Sequence, residues 1–262
     1  MGTSDLTLDA VTTVVDAIPR LPAPPARLDR ISLFLDLDGV LAEFADTPEG
    51  VVPEARRTAV LTALAPRLGG RVAIISGRTV AEIDRISDRS MASASGVHGL
   101  ERRRADGTFL RAEASESVRN AVAAFEEFAR TRPGVVVEDK AVAAGLHYRG
   151  APAAALEAEA LTRRLAAETG LMLQPGNMVI ELKTPGASKG TALKAFMQEA
   201  PFRDGVPVML GDDLTDEDGF RAATELGGFG VLVGPPRETA ARYSLTGVTA
   251  VLDWLEQLEA DA

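Results

Sequence analysis

The chain has 262 residues, of which 46% are hydrophobic and 25% are charged, a balance typical of a soluble globular protein that excludes a mainly disordered chain. Its formal net charge of −10 disfavours a nucleic-acid-binding or membrane-surface protein, because both need a positive surface. The absence of cysteine excludes disulfides, thiolate catalysis and cysteine-bound zinc, and we find neither a leader peptide nor an apolar run of about 18 residues, so we expect a cytoplasmic protein.

Residues 8–18 have a helical pattern and precede a proline-rich run, so we interpret residues 1–30 as a lead-in segment. Short apolar runs then alternate with helical patterns. The apolar runs are typical of strands buried on both faces and lie at residues 31–35, 71–75, 206–210 and 230–234. The helical patterns lie at residues 55–68, 80–86 and 189–199. This alternation predicts an α/β fold with a doubly wound parallel sheet, in which ligands bind beyond the carboxyl ends of the strands.

The middle of the chain has a different pattern, with helices and hairpin-like strands in place of the βα alternation. The helices are predicted at residues 117–130 and 153–169, and the strands at residues 135–138, 145–149, 171–174 and 178–182. This order favours an α+β insert. We therefore predict a core domain at residues 31–114 and 185–262 and an inserted cap domain at residues 115–184.

Acidic side chains follow two of the predicted core strands. Asp36 and Asp38 end the first, and Asp212, Asp213 and Asp216 follow another. Paired carboxylates on an apolar strand repel each other unless a cation neutralises them, and Mg²⁺ prefers oxygen ligands of this kind. Either cluster alone is also explained by helix N-caps and turns. Two clusters at equivalent strand ends favour a magnesium site, with Asp36 as a nucleophile toward phosphorus and Asp38 as the acid/base.

Two further polar residues are candidates for holding a phosphoryl group. Ser76 follows a core strand and could donate its hydroxyl, although capping the helix that starts near Thr79 is the alternative. Lys189 opens a predicted helix, where a cation opposes the helix dipole unless it shares an anion with the helix; the alternative is a solvated surface lysine. His98 and His147 are the two histidines, and nothing pairs either with a serine nucleophile, so we do not expect a catalytic triad.

Seven stretches of the chain carry a resemblance to known proteins: FLDLDGVLAEF (34–44), IISGR (74–78), GVHGLE (96–101), VEDKAVAAGLHYR (137–149), GNMVIELKTPGASKGTAL (176–193), GDDLTDEDGF (211–220) and VGPPRETAARYSL (233–245). Their Asp-x-Asp, Ser, Lys and Gly-Asp-Asp-x-x-Asp order is similar to that of the haloacid dehalogenase superfamily. The cap stretches narrow the resemblance to the trehalose-6-phosphate phosphatase family. The resemblance extends from about residue 31 to the C-terminus.

This resemblance implies a Rossmann-like haloacid dehalogenase core with an inserted α+β cap domain. It also implies magnesium-dependent hydrolysis of trehalose 6-phosphate to trehalose and phosphate through an aspartyl-phosphate. The implied catalytic residues are Asp36 as nucleophile, Asp38 as acid/base, and Ser76 and Lys189 as holders of the phosphoryl group. The implied metal ligands are the Asp36 carboxylate, the Asp38 main-chain carbonyl, Asp212 and Asp213, with Asp216 in a supporting role.

We further expect seven residues to bind the substrate: Arg78, His98, Glu138, Lys140, Arg149, Asn177 and Glu181. Four of them, Glu138, Lys140, Asn177 and Glu181, match cap positions of the family. Ionised groups give strong hydrogen bonds to sugar hydroxyls, whereas the alternative for these four is a solvated sheet face. The expected partners are the small-molecule substrate and a separate trehalose-6-phosphate synthase, without nucleic acid or membrane.

Three alternative functions stay open. A phosphatase for sucrose phosphate or another sugar phosphate would share the core, and the cap residues named above disfavour it. A phosphomutase would share the nucleophile but would usually carry a small helical cap nearer the first motif. A catalytically inactive, sugar-phosphate-binding paralogue would be expected to lack a motif carboxylate, whereas Asp36, Asp38 and Asp212 are all present.

Overall fold

The computed structural model describes residues 18–45, 47–113, 115–176 and 178–260. Its helices are α1 (Ala55–Arg67), α2 (Val80–Ile86), α3 (Glu116–Arg130), α4 (Ala155–Thr169), α5 (Lys189–Met197), α6 (Glu217–Glu225) and α7 (Val248–Gln257). Its strands are β1 (Arg27–Leu28), β2 (Ile31–Leu35), β3 (Val72–Ile75), β4 (Ser93–Gly96), β5 (Glu101–Arg103), β6 (Phe109–Arg111), β7 (Val136–Asp139), β8 (Ala143–His147), β9 (Met172–Gly176), β10 (Val179–Lys183), β11 (Val206–Gly211), β12 (Phe229–Val233), β13 (Tyr243–Leu245) and β14 (Glu259–Ala260).

Eight strands form a large sheet in the order β13-β12-β11-β2-β3-β4-β5-β6. The pairings from β13 to β4 are all parallel, and β5 and β6 extend the sheet as antiparallel strands. Helices α1, α2 and α7 pack on one face, and α5 and α6 pack on the other. The predicted doubly wound parallel sheet is therefore confirmed, and the antiparallel edge is an addition that the sequence patterns did not predict.

Strand β2 illustrates why the core strands are buried along their whole length. Leu33 and Leu35 belong to the cluster under α1, α2 and α7, whereas Phe34 points to the opposite face. There its ring lies 5.4 Å from that of Phe202 and 6.0 Å from that of Phe196, measured between centroids. Because neighbouring side chains point to opposite faces and both faces are covered, every position of the strand is buried. The polar residue of the strand, Ser32, donates its hydroxyl to the Phe202 carbonyl at 2.7 Å.

Four strands form a separate antiparallel sheet, the small sheet, in the order β7-β8-β10-β9. Helices α3 and α4 cover one face through an apolar cluster that contains Phe125, Leu165 and, from β10, Ile180 and Leu182. The alternate residues of β10, including Glu181, therefore point to the opposite face, because side chains alternate along a strand. The small sheet thus has one apolar face and one face with ionisable side chains.

The remaining elements differ from the sequence interpretation in instructive ways. Strand β4 reads Ser-Ala-Ser-Gly and escapes a pattern search, because small residues have low strand propensity and yet are buried here between neighbouring strands. Strands β5, β6 and β13 and helices α6 and α7 were not predicted, and β8 begins two residues before the predicted strand. The predicted helix at residues 8–18 lies outside the described residues except for Ile18, which is not helical. Within the described ranges, no helix is both long and apolar enough to span a bilayer.

Candidate active site

The predicted acidic clusters meet at one edge of the large sheet. Strands β2 and β11 are parallel neighbours, so their carboxyl ends coincide, and the Asp36 amide donates to the Leu210 carbonyl at 3.0 Å. Asp36 is only 5% exposed, and one of its carboxylate oxygens accepts from the Leu37 amide at 2.7 Å. The strand register therefore brings the end of β2 next to the loop that follows β11.

Lys189 is held between two carboxylates of this cluster. Its ammonium lies 2.7 Å from Asp36 Oδ2 and 2.7 Å from Asp216 Oδ1, and the lysine is 3% exposed. Burial alone would lower the pKa of Lys189, but Asp216 and Asp36 hold it above the usual lysine range. Burial raises the pKa of Asp36, and Lys189 opposes that rise. The alternative of a solvated surface lysine is wrong, because Lys189 is buried and its ammonium contacts two carboxylates in place of water.

Three carboxylates, those of Asp36, Asp212 and Asp216, each place an oxygen within 4.8 Å of the others. One Asp216 oxygen takes the Lys189 hydrogen bond and the other accepts from the amides of Asp212 and Asp213 at 3.1 and 3.0 Å. Asp216 is fully buried behind the cavity lining, whereas Asp36 and Asp212 line the cavity, so these two carboxylates are the ones that can face a cation. Burial and the Asp216 charge raise the pKa of Asp212 to about 7, so its charged form is costly without a counter-ion.

The position of the Asp212 carboxylate depends on a glycine opposite it. A Cβ at Gly39 would lie 2.2 Å from Asp212 Oδ2, so only glycine lets the carboxylate reach this position, and Gly39 also has φ of +74°. Asp213, in contrast, is exposed and uses its carboxylate to accept from the Leu214 amide at 2.5 Å. Its side chain is not part of the three-carboxylate cluster and instead caps the turn that begins at Leu214, which is the alternative given for Asp213 in the sequence analysis. Hard carboxylate oxygens are the donors that Mg²⁺ prefers.

Arg78 binds the carboxylate of Asp38 through two parallel hydrogen bonds. Nε donates to Oδ2 at 2.7 Å and an Nη donates to Oδ1 at 2.9 Å, while the other Nη lies 3.3 Å from Glu82 Oε1. Burial would lower the pKa of Arg78, and Asp38 raises it. Ser76 is 1% exposed and accepts a hydrogen bond from the Arg78 amide at 3.2 Å. Thr79, not Ser76, caps α2, so the capping alternative for Ser76 is wrong.

Polar groups of the small sheet and of the turn after β7 contact the loops at the carboxyl ends of β3 and β4. Lys140 donates to the Gly77 carbonyl at 3.0 Å and pairs with Glu181, whose other carboxylate oxygen lies 3.3 Å from His98 Nε2. Burial would raise the pKa of Glu181, but Lys140 and His98 hold it well below the usual range. Burial also lowers the pKa of His98, which favours the neutral imidazole. The predicted alternative of a solvated sheet face is wrong for Lys140 and Glu181, which are 7% and 6% exposed.

Glu138 and His147 form a second pair on the same face, with 2.8 Å between Glu138 Oε2 and His147 Nε2. Lys140 lies 3.5 Å from the same Glu138 oxygen. Burial would raise the pKa of Glu138, but His147 and Lys140 lower it below its usual value. Arg149 is exposed at the end of this face, and Asn177 lies outside the described residues. The face therefore presents alternating carboxylates and donors, which is the chemistry needed to read hydroxyl groups.

One cavity of about 1080 Å³ brings most of the predicted site together. It is lined by twelve of the predicted residues: Asp36, Asp38, Ser76, Arg78, His98, Glu138, Lys140, Arg149, Glu181, Lys189, Asp212 and Asp213. Asp216 is fully buried behind the lining. The sequence analysis missed two apolar residues at the mouth, Phe44 and Leu214, which are 60% and 70% exposed. Phe44 lies in the first motif, and its hydrophobic character within a loop was a usable signal.

Two residues that contact the site were also missed, Arg237 and Glu217. Arg237 donates to main-chain carbonyls of the loop after β11, and Glu217 pairs with Arg237. Arg237 lies in the quoted stretch 233–245, but nothing in the local pattern distinguishes it from a surface arginine. Arg237 lies near the carboxylates only because the stretch 233–245 packs against the loop after β11 in the folded chain.

Comparisons with known proteins agree with this arrangement. A family model described as trehalose-phosphatase matches residues 34–249. The chain is 38% identical over 240 residues to the trehalose-6-phosphate phosphatase of Escherichia coli (strain K12), which covers 91% of this chain and 90% of that protein.

Two solved structures have a similar fold. The C-terminal domain of C. albicans trehalose-6-phosphate phosphatase matches with a TM-score of 0.77 and 24% identity, over 91% of this chain and 98% of that one. A phosphatase of the haloalkanoate (HAD) enzyme superfamily from Bacteroides thetaiotaomicron matches with a TM-score of 0.61 and 18% identity, over 92% of this chain and 96% of that one. At these identities the two similarities concern the fold.

Proposed function

The chain belongs to the trehalose-phosphatase family of phosphoric monoester hydrolases, and we propose that it hydrolyses trehalose 6-phosphate to trehalose and phosphate. The observation that carries this proposal is the composition of the cavity. On one wall lies the buried Asp36 carboxylate beside Lys189 and Asp212, and on the other lies the Lys140–Glu181 pair of the small sheet. A reactive carboxylate and a surface that can bind sugar hydroxyls thus face one open cavity.

We assign the two sheets to two domains. The large sheet and its helices belong to a core domain at residues 31–114 and 185–262, and residues 115–184 form an inserted cap domain around the small sheet. Residues 1–30 remain a lead-in segment. This division is supported by the separate apolar cores, since the cluster between the small sheet and helices α3 and α4 is distinct from those of the large sheet.

Magnesium is the cation that we assign to the acidic cluster. The Asp36 and Asp212 carboxylates and the Asp38 main-chain carbonyl would hold it, while Asp213 and Asp216 support the loop. Bound there, Mg²⁺ would neutralise charge between a carboxylate and a phosphate dianion and so favour their approach. The oxygen-only donor set and the room left by Gly39 support this assignment.

The reaction then proceeds in two displacements at phosphorus. An Asp36 carboxylate oxygen attacks phosphorus, the bond from phosphorus to the sugar oxygen breaks, and the Asp38 carboxyl gives that oxygen its proton. Asp38 next takes a proton from water, whose oxygen attacks the aspartyl-phosphate, and phosphate leaves with Asp36 restored. Lys189 contacts Asp36 and Ser76 lies nearby, so both are placed to hold the phosphoryl oxygens. Arg78 binds both Asp38 oxygens, so substrate entry must free one of them.

The side chains on the polar face of the small sheet bind the sugar. Glu138, Lys140 and Glu181 offer charged acceptors and a charged donor on one face, with Arg149 at its edge and His98 opposite. We also assign Asn177 and Arg78 to substrate binding. A smaller sugar would leave some of these buried groups unpaired, which disfavours it. Charged hydrogen bonds from buried side chains of this cavity therefore select the disaccharide.

The deciding experiment is phosphate release from a panel of sugar phosphates with magnesium and with a chelator. We expect trehalose 6-phosphate to be preferred, the chelator to abolish turnover, and Asp36→Asn to be inactive while it remains folded. Asp106→Asn, which removes an exposed carboxylate from a turn of the core, is the matched control and should keep full activity. Undiminished activity in chelator would refute the metal, and preference for sucrose phosphate would refute the substrate.

The wider setting follows from the chemistry of the substrate. A disaccharide phosphate has to be made by glycosyl transfer, a different class of reaction from ester hydrolysis, so we assign its supply to a separate trehalose-6-phosphate synthase. We place the reaction in the cytoplasm, which agrees with the absence of cysteine from the chain.

A further inference from the structure

Arg237 makes four contacts around the loop that follows β11. One Nη donates to the Asp213 carbonyl at 2.9 Å and lies 3.3 Å from the Asp212 carbonyl. The other Nη pairs with Glu217 and donates to the Glu238 carbonyl at 3.0 Å. The guanidinium therefore joins two consecutive peptide groups of the acidic loop to a separate segment of the chain.

The same two residues are held from the other side by Asp216. Its Oδ2 accepts from the amides of Asp212 and Asp213 at 3.1 and 3.0 Å. The N–H groups of both residues thus bind a carboxylate while their carbonyls bind a guanidinium. This double restraint fixes the main chain at Asp212, and it determines where the Asp212 carboxylate points.

Glu217 keeps Arg237 in place. It is 8% exposed, and besides Arg237 it accepts from Thr239 Oγ1 and from the Ala240 amide, both at 2.8 Å. Because Glu217 is the first residue of α6, these contacts attach the Arg237 segment to the helix that starts at the acidic loop. The guanidinium has little freedom to move away from the two carbonyls.

We propose that Arg237 is a positioning residue for the divalent cation of this phosphatase, holding the main chain at Asp212 and Asp213 so that the Asp212 carboxylate faces Asp36. The inference rests on the proposed function. A guanidinium presents several donors in a fixed plane, so it can bind two carbonyls and a carboxylate at once, whereas a lysine ammonium has no such fixed geometry. Groups that orient metal ligands typically change metal affinity 10- to 100-fold when they are removed.

The test is the magnesium affinity of the full-length protein without substrate, measured by isothermal titration calorimetry for Arg237→Gln and Arg237→Lys. We expect affinity to fall about 10- to 100-fold in both variants. With trehalose 6-phosphate, the magnesium concentration for half-maximal activity should rise by a similar factor, and kcat should recover at saturating magnesium. A merely structural arginine would not give this recovery. If Arg237→Gln does not fold, Arg237→Lys decides, since it keeps the charge.

Arg221→Gln is the matched control, because Arg221 lies on α6 and, among the described residues, its side chain pairs only with Asp218, in an exposed contact at 3.2 Å. It should bind magnesium like the wild type. Unchanged magnesium affinity in both Arg237 variants would overturn the inference and leave the proposed function intact. A wild-type protein that binds no magnesium, or that does not release phosphate from trehalose 6-phosphate, would overturn the proposed function and the inference with it.

Discussion

Removal of the buried cation between Asp36 and Asp216 has an effect that can be estimated from the structure. In Lys189→Met, two carboxylates lose an ammonium that lies 2.7 Å from each of them, in a place where neither is more than 5% exposed. At an effective dielectric constant of about 20, each contact is worth about 6 kcal/mol before desolvation. The lysine no longer has to be desolvated in the variant, and this offsets several kcal/mol of that loss.

Protonation sets a limit on the remaining loss. A stranded carboxyl can take up a proton, and at neutral pH this costs about 4 kcal/mol from an ordinary carboxyl pKa. We therefore expect Lys189→Met to lower the free energy of unfolding by about 3–5 kcal/mol, in the range found when one partner of a buried pair is removed.

The assay is urea unfolding in chelator, followed by circular dichroism. The control is Lys194→Met on the same helix, whose ion pair with Glu225 is exposed and should contribute less than about 1 kcal/mol. Equal losses in the two variants would refute the reasoning, because burial would then not decide the strength of the pair.

Four further outcomes follow from the site. Because the pKa of Asp212 is about 7, protons compete with the cation for its carboxylate. Magnesium affinity measured by calorimetry should therefore be about tenfold lower near pH 6 than near pH 8, and a pH-independent affinity would contradict this. The pKa of Asp212 is also higher in the folded protein than in the unfolded chain, so the unfolded chain loses its proton at lower pH. The metal-free protein should therefore lose stability as pH rises toward and through 7, which thermal unfolding would show. Gly39→Ala would place a Cβ 2.2 Å from Asp212 Oδ2 and should remove magnesium binding, and a variant that binds normally would show that the carboxylate has another position. Glu181→Gln leaves Lys140 buried without its closest charge partner and should raise KM for trehalose 6-phosphate at least about tenfold. KM for a phosphate ester that lacks the disaccharide should change less. Equal changes in KM for the two substrates would exclude a role of Glu181 in sugar recognition.

The sequence identified residues that come together in the structure where local chemistry and strand order carry the same information. Asp36 ends an apolar strand and Lys189 begins a helix, and both features can be read from a few neighbouring residues. The parallel alternation of strands and helices then places their ends at one edge of the sheet. The resemblance to a family supplied the small-sheet residues, which the pattern alone would have assigned to a solvated surface.

Other parts of the site depend on distant contacts that have no local signature. Ser76 has the pattern of a helix cap, yet Thr79 takes that role because its side chain reaches the Glu82 amide. Strand β4 consists of small residues whose strand form comes from pairing with β3 and β5. Asp213 resembles a metal ligand in sequence and caps a turn in the structure.

The sequence by itself determined four of the buried core strands, β2, β3, β11 and β12, and where carboxylates follow them. It also determined which chemical groups are available, because hydrophobic periodicity and capping depend on near neighbours. Only the tertiary structure decided which charges pair: Lys189 with Asp36 and Asp216, Arg78 with Asp38, and Arg237 with the loop at Asp212. These pairings join residues far apart in the chain, and their geometry depends on the register of the sheet and on the packing of every helix between them. A local sequence pattern contains no information about that register, so the side chains could be predicted from the sequence but their pairings could not.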